Sequence, residues 1–416
     1  MQNRLIEPVE RFEIIVEKDK KQTFYALNPL TGDPLNIIFV NNLAPDADGS
    51  IEHPYPTLLL GEQNSIPGDI IYVFEGDGTT KGMDAGINLK DNQSLLGSAF
   101  PYAFNTKIGI QTLAAQTLKS PTITSSVGNV INLANNNTIN GFNVEVSIEA
   151  AAIHATFPSL NNLTVSNNNF ISKGIATIMG YAIKLDTGTT SGNILISNNR
   201  IEQFVNGLKM ATSGTYNLTI SNNMFNNTFS SLHIQPIGAG TISLVVNKNT
   251  LQSNSNFSSA IYFFDTNLAT LSGVIENNTL NATPIGADAL YFNGQGNILI
   301  KNNIANANPG NFAINITNPF APNGLTAVVK NNTMTGGFNI DGNSIQLKIL
   351  DNTSPGTANF YVLDNTFGTM AISSPDGTLA GGTYNQNLPV NPSSFNFPSG
   401  SPAVYPIPQT TGDSFP

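Results

Sequence analysis

The stretch Asn217–Phe225, NLTISNNMF, alternates apolar and polar residues and then stops in a pair of asparagines. Nearly the same phrase returns through the middle of the chain. Aligned on the second Asn, the copies are NLANNNTI, LTVSNNNF, ILISNNRI, LTISNNMF, LVVNKNTL, GVIENNTL, ILIKNNIA, AVVKNNTM, LKILDNTS and FYVLDNTF. The aligned residues are Asn137, Asn168, Asn199, Asn223, Asn249, Asn278, Asn303, Asn332, Asn352 and Asn365, spaced by 31, 31, 24, 26, 29, 25, 29, 20 and 13. A period of that length with short alternating segments predicts a solenoid. The last spacing is too short for a further turn, so one of the last two copies is a local duplication or the coil ends there. A second phrase lies between copies: AIHA, AIKL, GLKM, SLHI, AIYF, ALYF, AINI and GFNI. Each reads as a strand with two apolar residues flanking an outward one. The predicted turn of the coil is therefore first strand, variable loop, second strand, asparagine corner, third strand, return. Leu208, Met210, Leu218 and Ile220 point inward in this scheme, and Lys209 and Thr219 outward. The aligned asparagine is expected to take the left-handed angles of the corner. Its amide, both donor and acceptor, would bond the Asn of the next turn, so that Asn137, Asn168, Asn199, Asn223, Asn249, Asn278, Asn303 and Asn332 form a structural ladder.

Composition agrees. Of 416 residues 59 are Asn and 36 Gly, while only 11% are charged, against about 25% in ordinary soluble domains. Such a chain suits strands and tight turns. The net charge of −10 and the three arginines, Arg4, Arg11 and Arg200, argue against nucleic acid, whose phosphates need clustered cations, and against anionic membranes. Without cysteine there are no disulfides and no thiolate metal sites. No apolar run approaches the ~18 residues of a membrane-spanning helix. MQNRLIEPVERFEIIV lacks the apolar core of a signal peptide, so export would rely on a signal further upstream or on another route.

The repeats, covering roughly residues 36–370, resemble the right-handed parallel β-helices of the pectin-lyase-like group. Residues 36–40 (NIIFV), DADGSIEHPYPTLLLGEQ, PGDIIYVFEGDG and AGINLKDNQSLLGS are similar to the N-terminal cap and first coils of such proteins, with a capping helix over Thr57–Gln63. RLIEPVERFEIIVEKDKK followed by FYALNPLTG resembles the junction after the membrane barrel of inverse autotransporters, the intimin/invasin-like surface proteins. The expected fold class is all-β, a single right-handed parallel β-helix of roughly ten or more turns over 36–372, with an N-terminal cap and an asparagine ladder. Residues 1–35 are read as a linker or barrel-to-passenger junction, and 373–416 as an irregular C-terminal cap with a Pro/Gly/Ser-rich tail.

Ligands of this fold usually meet the outward face of the first strand. That stripe carries His154, Lys184, Lys209, His233, Tyr262, Tyr291, Asn315 and Asn339, with Asp186, Ala211, Gln235, Phe264, Asn293, Thr317 and Asp341 two positions on. Lys184, Asp186, Lys209, His233, Tyr262, Phe264, Tyr291 and Asn293 are the candidate ligand-binding residues: ring faces for sugars, amides and carboxylates for hydroxyls. The alternative is an ordinary solvated strand exterior. As a lyase the site would draw its base from Lys184, Lys209 or His233, with Ca²⁺ to neutralise a uronate. The acids Asp186, Glu202, Asp265, Glu276 and Asp288 are, however, scattered for a Ca²⁺ site. The stripe also shows no neighbouring carboxylate pair of the kind a hydrolase needs. DADGS and EGDG look loosely like Ca²⁺ loops, though most Asp-Gly pairs are turns.

The reading favours a non-enzymatic, surface-displayed or secreted β-helix passenger, an adhesin-like binding or stalk module. It works as a monomer, needs no cofactor, and takes a host-surface glycan or protein as partner. Any attachment to an outer membrane is expected through an upstream barrel. The alternative is a polysaccharide-binding or polysaccharide-degrading protein, a lyase or glycoside hydrolase. The loops ATSGTY, DTNLATLSG and TNPFAPNG are further candidate contacts.

Overall fold

In a computed structural model the chain is an all-β parallel β-solenoid of about nine turns. The structure describes residues 11–17, 20–25, 32 and, with short internal gaps, 36–350, together with strands Ala358–Thr366, Met370–Ser373 and Gly382–Asn387; side-chain surroundings are described between 36 and 338. The tail 388–416, Asn352, most of TNPFAPNG, the centre of DTNLATLSG and the side chains of Asn339 and Asn365 lie outside the described residues. Two compact units are distinguished: residues 1–155 with 160–180, and residues 156–159 with 181–416.

In the first unit, Arg11–Glu17 and Lys20–Tyr25 form an antiparallel pair within the stretch read as a linker. Their alternating apolar and polar residues suit paired strands. The parallel coil begins with Ile37–Val40, Ile70–Val73 and Ser94–Gly97. The capping helix spans Leu58–Asn64, one residue later than expected, because Thr57 is its N-cap and its hydroxyl accepts from Leu60 N–H at 3.2 Å. The strands NIIFV and IIYV are apolar on both faces because both faces are covered. Ile38, Ile71 and Leu95 point into the coil, whereas Ile37, Phe39, Ile70, Tyr72 and Leu96 pack under a hairpin, Tyr102–Thr106 with Gly109–Leu113. Tyr72 meets Phe39 and Tyr102 edge-on at 5.6 and 6.1 Å.

The second unit repeats the predicted turn: first strands such as Asn206–Ser213, Leu232–Pro236, Ile261–Phe264 and Leu290–Asn293; second strands Tyr216–Ser221, Gly240–Asn247, Ala269–Glu276 and Gly296–Lys301; third strands Met224–Asn227, Thr250–Ser253, Thr279–Ala282 and Ile304–Ala307. Pairing is parallel and in register between successive turns. Leu208, Met210, Leu218 and Ile220 are buried, and Lys209 and Thr219 half-exposed, as their parity requires.

The corner differs from expectation in one respect. The residue with left-handed angles is the one before the aligned Asn: Asn198, Asn222, Lys248, Asn277, Asn302 and Asn331, with φ from 54° to 57°. Its side chain turns away from the core, which is why Lys248 is tolerated. The aligned Asn then turns inward and is buried. Asn223 N–H and Nδ2 both donate to Asn249 Oδ1, at 2.9 and 3.0 Å. Asn249 does the same to Asn278, Asn278 to Asn303 and Asn303 to Asn332. Each Nδ2 also reaches a strand carbonyl of the preceding turn, as Asn249 does to Ile220 O at 2.8 Å.

Two aligned copies fall elsewhere. Asn137 is not at the ladder corner. Register pairs Ile139 with Val165, so Phe142 occupies the position of Asn168 and Gly141, φ 88°, that of the left-handed residue. Asn168 Oδ1 accepts from Phe142 N–H at 3.0 Å. Asn137 instead serves a second corner, its Nδ2 on Lys90 O at 2.8 Å. At that corner Asn92, Asn136 and Asn162 are left-handed and joined by amide bonds of 2.8 Å on the outside. FYVLDNTF is the local duplication: its strand, Ala358–Thr366, pairs with Gly337–Asn343 and so belongs to the first-strand column.

Asn249→Ala is expected to cost about 3 kcal/mol, since it strands buried amide donors and carbonyls above and below. Lys248→Asn should change stability by less than about 0.5 kcal/mol, because the left-handed position accepts Asn. Chemical denaturation of the two variants checks both.

Candidate binding face

The first-strand stripe of the second unit forms an unbroken column in register: Lys184, Lys209, His233, Tyr262, Tyr291, Asn315, Asn339. At its cationic end two ammonium groups from successive turns converge on one carboxylate. Asp186 Oδ2 lies 3.2 Å from Lys184 Nζ and 3.7 Å from Lys209 Nζ. Both lysines also sit over the ring of Tyr181, at 5.2 and 5.5 Å from its centroid. Sequence parity missed Tyr181 because two buried residues, Ala182 and Ile183, separate it from Lys184 and break the alternation.

Beyond the lysines the column becomes aromatic. His233 and Tyr262 have centroids 4.8 Å apart, Tyr262 and Tyr291 stack at 5.1 Å with planes 12° apart, and Phe264 lies 6.0 Å from Tyr262. Parallel strands repeat at about 4.8 Å, so neighbouring rings must stack on one another. The inner faces cover each other, and the stack presents edges and hydroxyls. The Tyr291 hydroxyl accepts from Thr317 Oγ1 at 3.3 Å. Asn293, expected as a surface contact, is 2% exposed. Asn315 is tied to Asp288, Nδ2 to Oδ2 at 2.7 Å. His154 belongs to the first unit, where its Nδ1 meets Asn129 Nδ2 at 2.7 Å.

The scattered acids are each engaged. Asp186 holds the two lysines, Glu202 pairs with Arg200, and Glu276 lies 3.3 Å from Lys301. Asp288 accepts from Asn315 and from Phe312 N–H, although burial holds its carboxyl above the usual range. Asp265 is buried and accepts from Ala269 N–H at 3.4 Å. In the cap the supposed Ca²⁺ loops are turns clamped by their own amides. Asp48 accepts from Ser50 N–H at 2.9 Å, and Asp77 from Thr79 N–H and Oγ1 and Asn42 Nδ2 at 2.8, 2.7 and 2.6 Å. These bonds, the backbone ones foremost, lower both carboxyls below the usual range. Among the described residues no three His, Cys, Asp or Glu side chains come together as a metal cluster.

No family model matches the chain. No curated protein matches it at a significant level.

Burial holds the His233 imidazole below its ordinary value of 6.5, against a hydrogen bond with Gln235. The unfolded chain therefore binds a proton more readily than the folded one. Stability should fall as pH drops from about 7 toward 5, and His233→Gln should flatten that limb. Denaturation midpoints across that range, with an imidazole NMR titration, test the expectation.

Proposed function

We propose that the chain is a stiff, non-enzymatic β-helical module displayed at a bacterial surface or secreted, an adhesin-like binding or stalk element on a pectin-lyase-like scaffold. The observation that carries this reading is the self-saturation of the outward stripe. Its lysines are spent on Asp186 and Tyr181, its aromatic faces on one another, and the acids Asp186, Glu202, Asp265, Glu276 and Asp288 on partners of their own. A catalytic base must be free to take a proton in the reacting geometry, and glycosidic cleavage needs a carboxylate pair flanking one bond. A salt-bridged, stacked column serves instead as a persistent surface. Resemblance of the first 35 residues to an inverse-autotransporter junction supports surface display, with attachment through an upstream barrel.

A second reading keeps the stripe as a polysaccharide site. It is supported by the tyrosine hydroxyls and the His233 edge, which align over three turns and can donate to sugar hydroxyls.

An array of glycans and host-matrix proteins probed with the purified chain, with ultraviolet absorbance of unsaturated uronates followed in parallel, separates the two. The main reading expects binding without product, and no change in any turnover on replacing Lys184 and Lys209 by Ala. Product that disappears in the double lysine variant would make the protein a lyase. Glycan binding lost on changing Tyr262 and Tyr291 to Ala would locate recognition on the stripe, whereas binding that survives would locate it on the loops.

A further inference from the structure

Alternation along the second strands of the second unit sends every other residue outward. Residues 192–197, 216–221, 242–247, 271–276, 296–301 and 325–330 pair in parallel and in register, so each outward position becomes a column. The middle column is Leu195, Thr219, Val245, Val274, Leu299 and Val328, aliphatic but for one threonine and without a charge. The outward column of the first strands, by contrast, holds lysines, a histidine and tyrosines. Leu299 is 6% exposed, and the other five residues are half-exposed. The columns on either side carry short polar side chains, such as Asn217, Ser243 and Ser272 on one flank and Ser221 and Asn247 on the other. The face is therefore flat, with an aliphatic stripe down its centre. The first unit shows how this chain treats outward apolar residues elsewhere: Ile37, Phe39 and Ile70 lie under the hairpin Tyr102–Leu113.

We propose that this face is the contact between two copies of the chain. Size points that way. Strands of this length, rising ~3.3 Å per residue and repeating at ~4.8 Å, give a face of about 20 by 29 Å, roughly 600 Å². Two copies laid face to face would bury about 1,200 Å² in total, above the roughly 1,000 Å² that a specific interface needs and at the lower edge of stable complexes. A flat stripe needs a flat partner, and sheets pack face to face at ~10 Å with short side chains between them. A second copy meets that requirement. Charge points the same way. The chain carries −10 overall, yet the charged residues of this face are Glu276, Lys301 and Lys330, so little repulsion is concentrated here. Glu276 and Lys301 stand on successive turns of one flank, 3.3 Å apart. A two-fold axis parallel to the strands and passing between those turns sets Glu276 opposite the partner's Lys301, Val274 opposite Leu299 and Val245 opposite Val328. The contact is then self-complementary, aliphatic at its centre and charge-paired at its edge, and it forms a weak, reversible dimer. It stands apart from the first-strand stripe and does not depend on what that stripe binds.

Sedimentation equilibrium of the full chain, with hydroxyl-radical labelling of Val245 and Val274 at low and high concentration, is the test. The expected result is a monomer–dimer equilibrium in which labelling of both valines falls as the dimer forms. Val245→Lys combined with Val274→Glu should weaken the dimer at least about tenfold, because the new charges would lose water in the contact. These two positions stand on successive turns, as Glu276 and Lys301 do, so the coil can pair the new charges and stay folded. Glu276→Lys alone should also weaken the dimer, and adding Lys301→Glu should restore it. Thr250→Lys, exposed on the third strand, should leave it unchanged. Should the valine pair fail to fold, the charge exchange carries the comparison. A chain that is monomeric at every concentration would overturn the proposal. Valines labelled freely in that monomer would mean a bare stripe, and valines protected throughout would mean that another segment of the chain covers it. A dimer that is insensitive to the valine pair and to the charge exchange would lie on another face and would overturn the proposal as well.

Discussion

Parallel, in-register stacking at about 4.8 Å sets each side chain of the coil's paired strands over its counterpart in the next turn. Whatever occupies a position must tolerate a copy of itself. Asparagine does so better than any charged group, because its amide donates on one side and accepts on the other. The buried column from Asn199 to Asn332 and the outer column Asn92, Asn136 and Asn162 are the same solution on opposite sides of the backbone. Aromatic rings also stack on themselves, inside at Phe263 and Phe292 (4.9 Å) and outside at Tyr262 and Tyr291. Like charges directly opposite one another repel. The constraint accounts for a chain with 59 asparagines and only 11% charged residues. It also explains why Lys184 and Lys209, stacked one above the other, share Asp186.

The asparagine corner divides two tasks that one residue cannot perform together. A left-handed residue points its side chain away from the coil, so it can close the corner but cannot build the internal ladder. The following residue faces inward and must present both a donor and an acceptor within a narrow space. The first task admits Asn, Lys or Gly, as Asn222, Lys248 and Gly141 illustrate. Among the described residues of the second unit's ladder, from Asn199 to Asn332, the second task is filled by Asn alone. Phe142, at the same position in the first unit, contributes only its backbone N–H.

Periodicity made the coil legible, because each turn restates the same strand parity and the same corner. What the sequence hid was non-periodic or depended on a third dimension. The hairpin Tyr102–Leu113 covers an outward face, a contact no local pattern encodes, although the doubly apolar runs NIIFV and IIYV hinted at it. Asn137 matched the repeated phrase by letters while standing at another corner. Tyr181 escaped through a lapse in alternation. Tyr262 and Tyr291 were correctly placed on one outward column. The consequence of that placement, rings covering rings, follows from the spacing of turns and is invisible in the spacing of residues. Asn293 had the right parity for the surface, yet its neighbours bury it.

Self-complementary columns also set apart the polar groups that the repeat does not pair. A polar residue that recurs in every turn finds its partner in its own copy, and such columns are saturated. A buried polar residue that occurs once has no copy to bond. Tyr216 gives way to Ile242 and Leu271 along its column. Gln295 reaches the Ala269 carbonyl with its amide nitrogen and leaves its oxygen bare. Interruption of the repeat in a closed interior therefore leaves single polar atoms, the Tyr216 hydroxyl and Gln295 Oε1, without a hydrogen bond to the protein. The stretch ATSGTY, expected as a loop, lies mostly in the paired strands Asn206–Ser213 and Tyr216–Ser221, and Tyr181–Ser197 runs as one strand through both positions, so the stacking rule reaches there too.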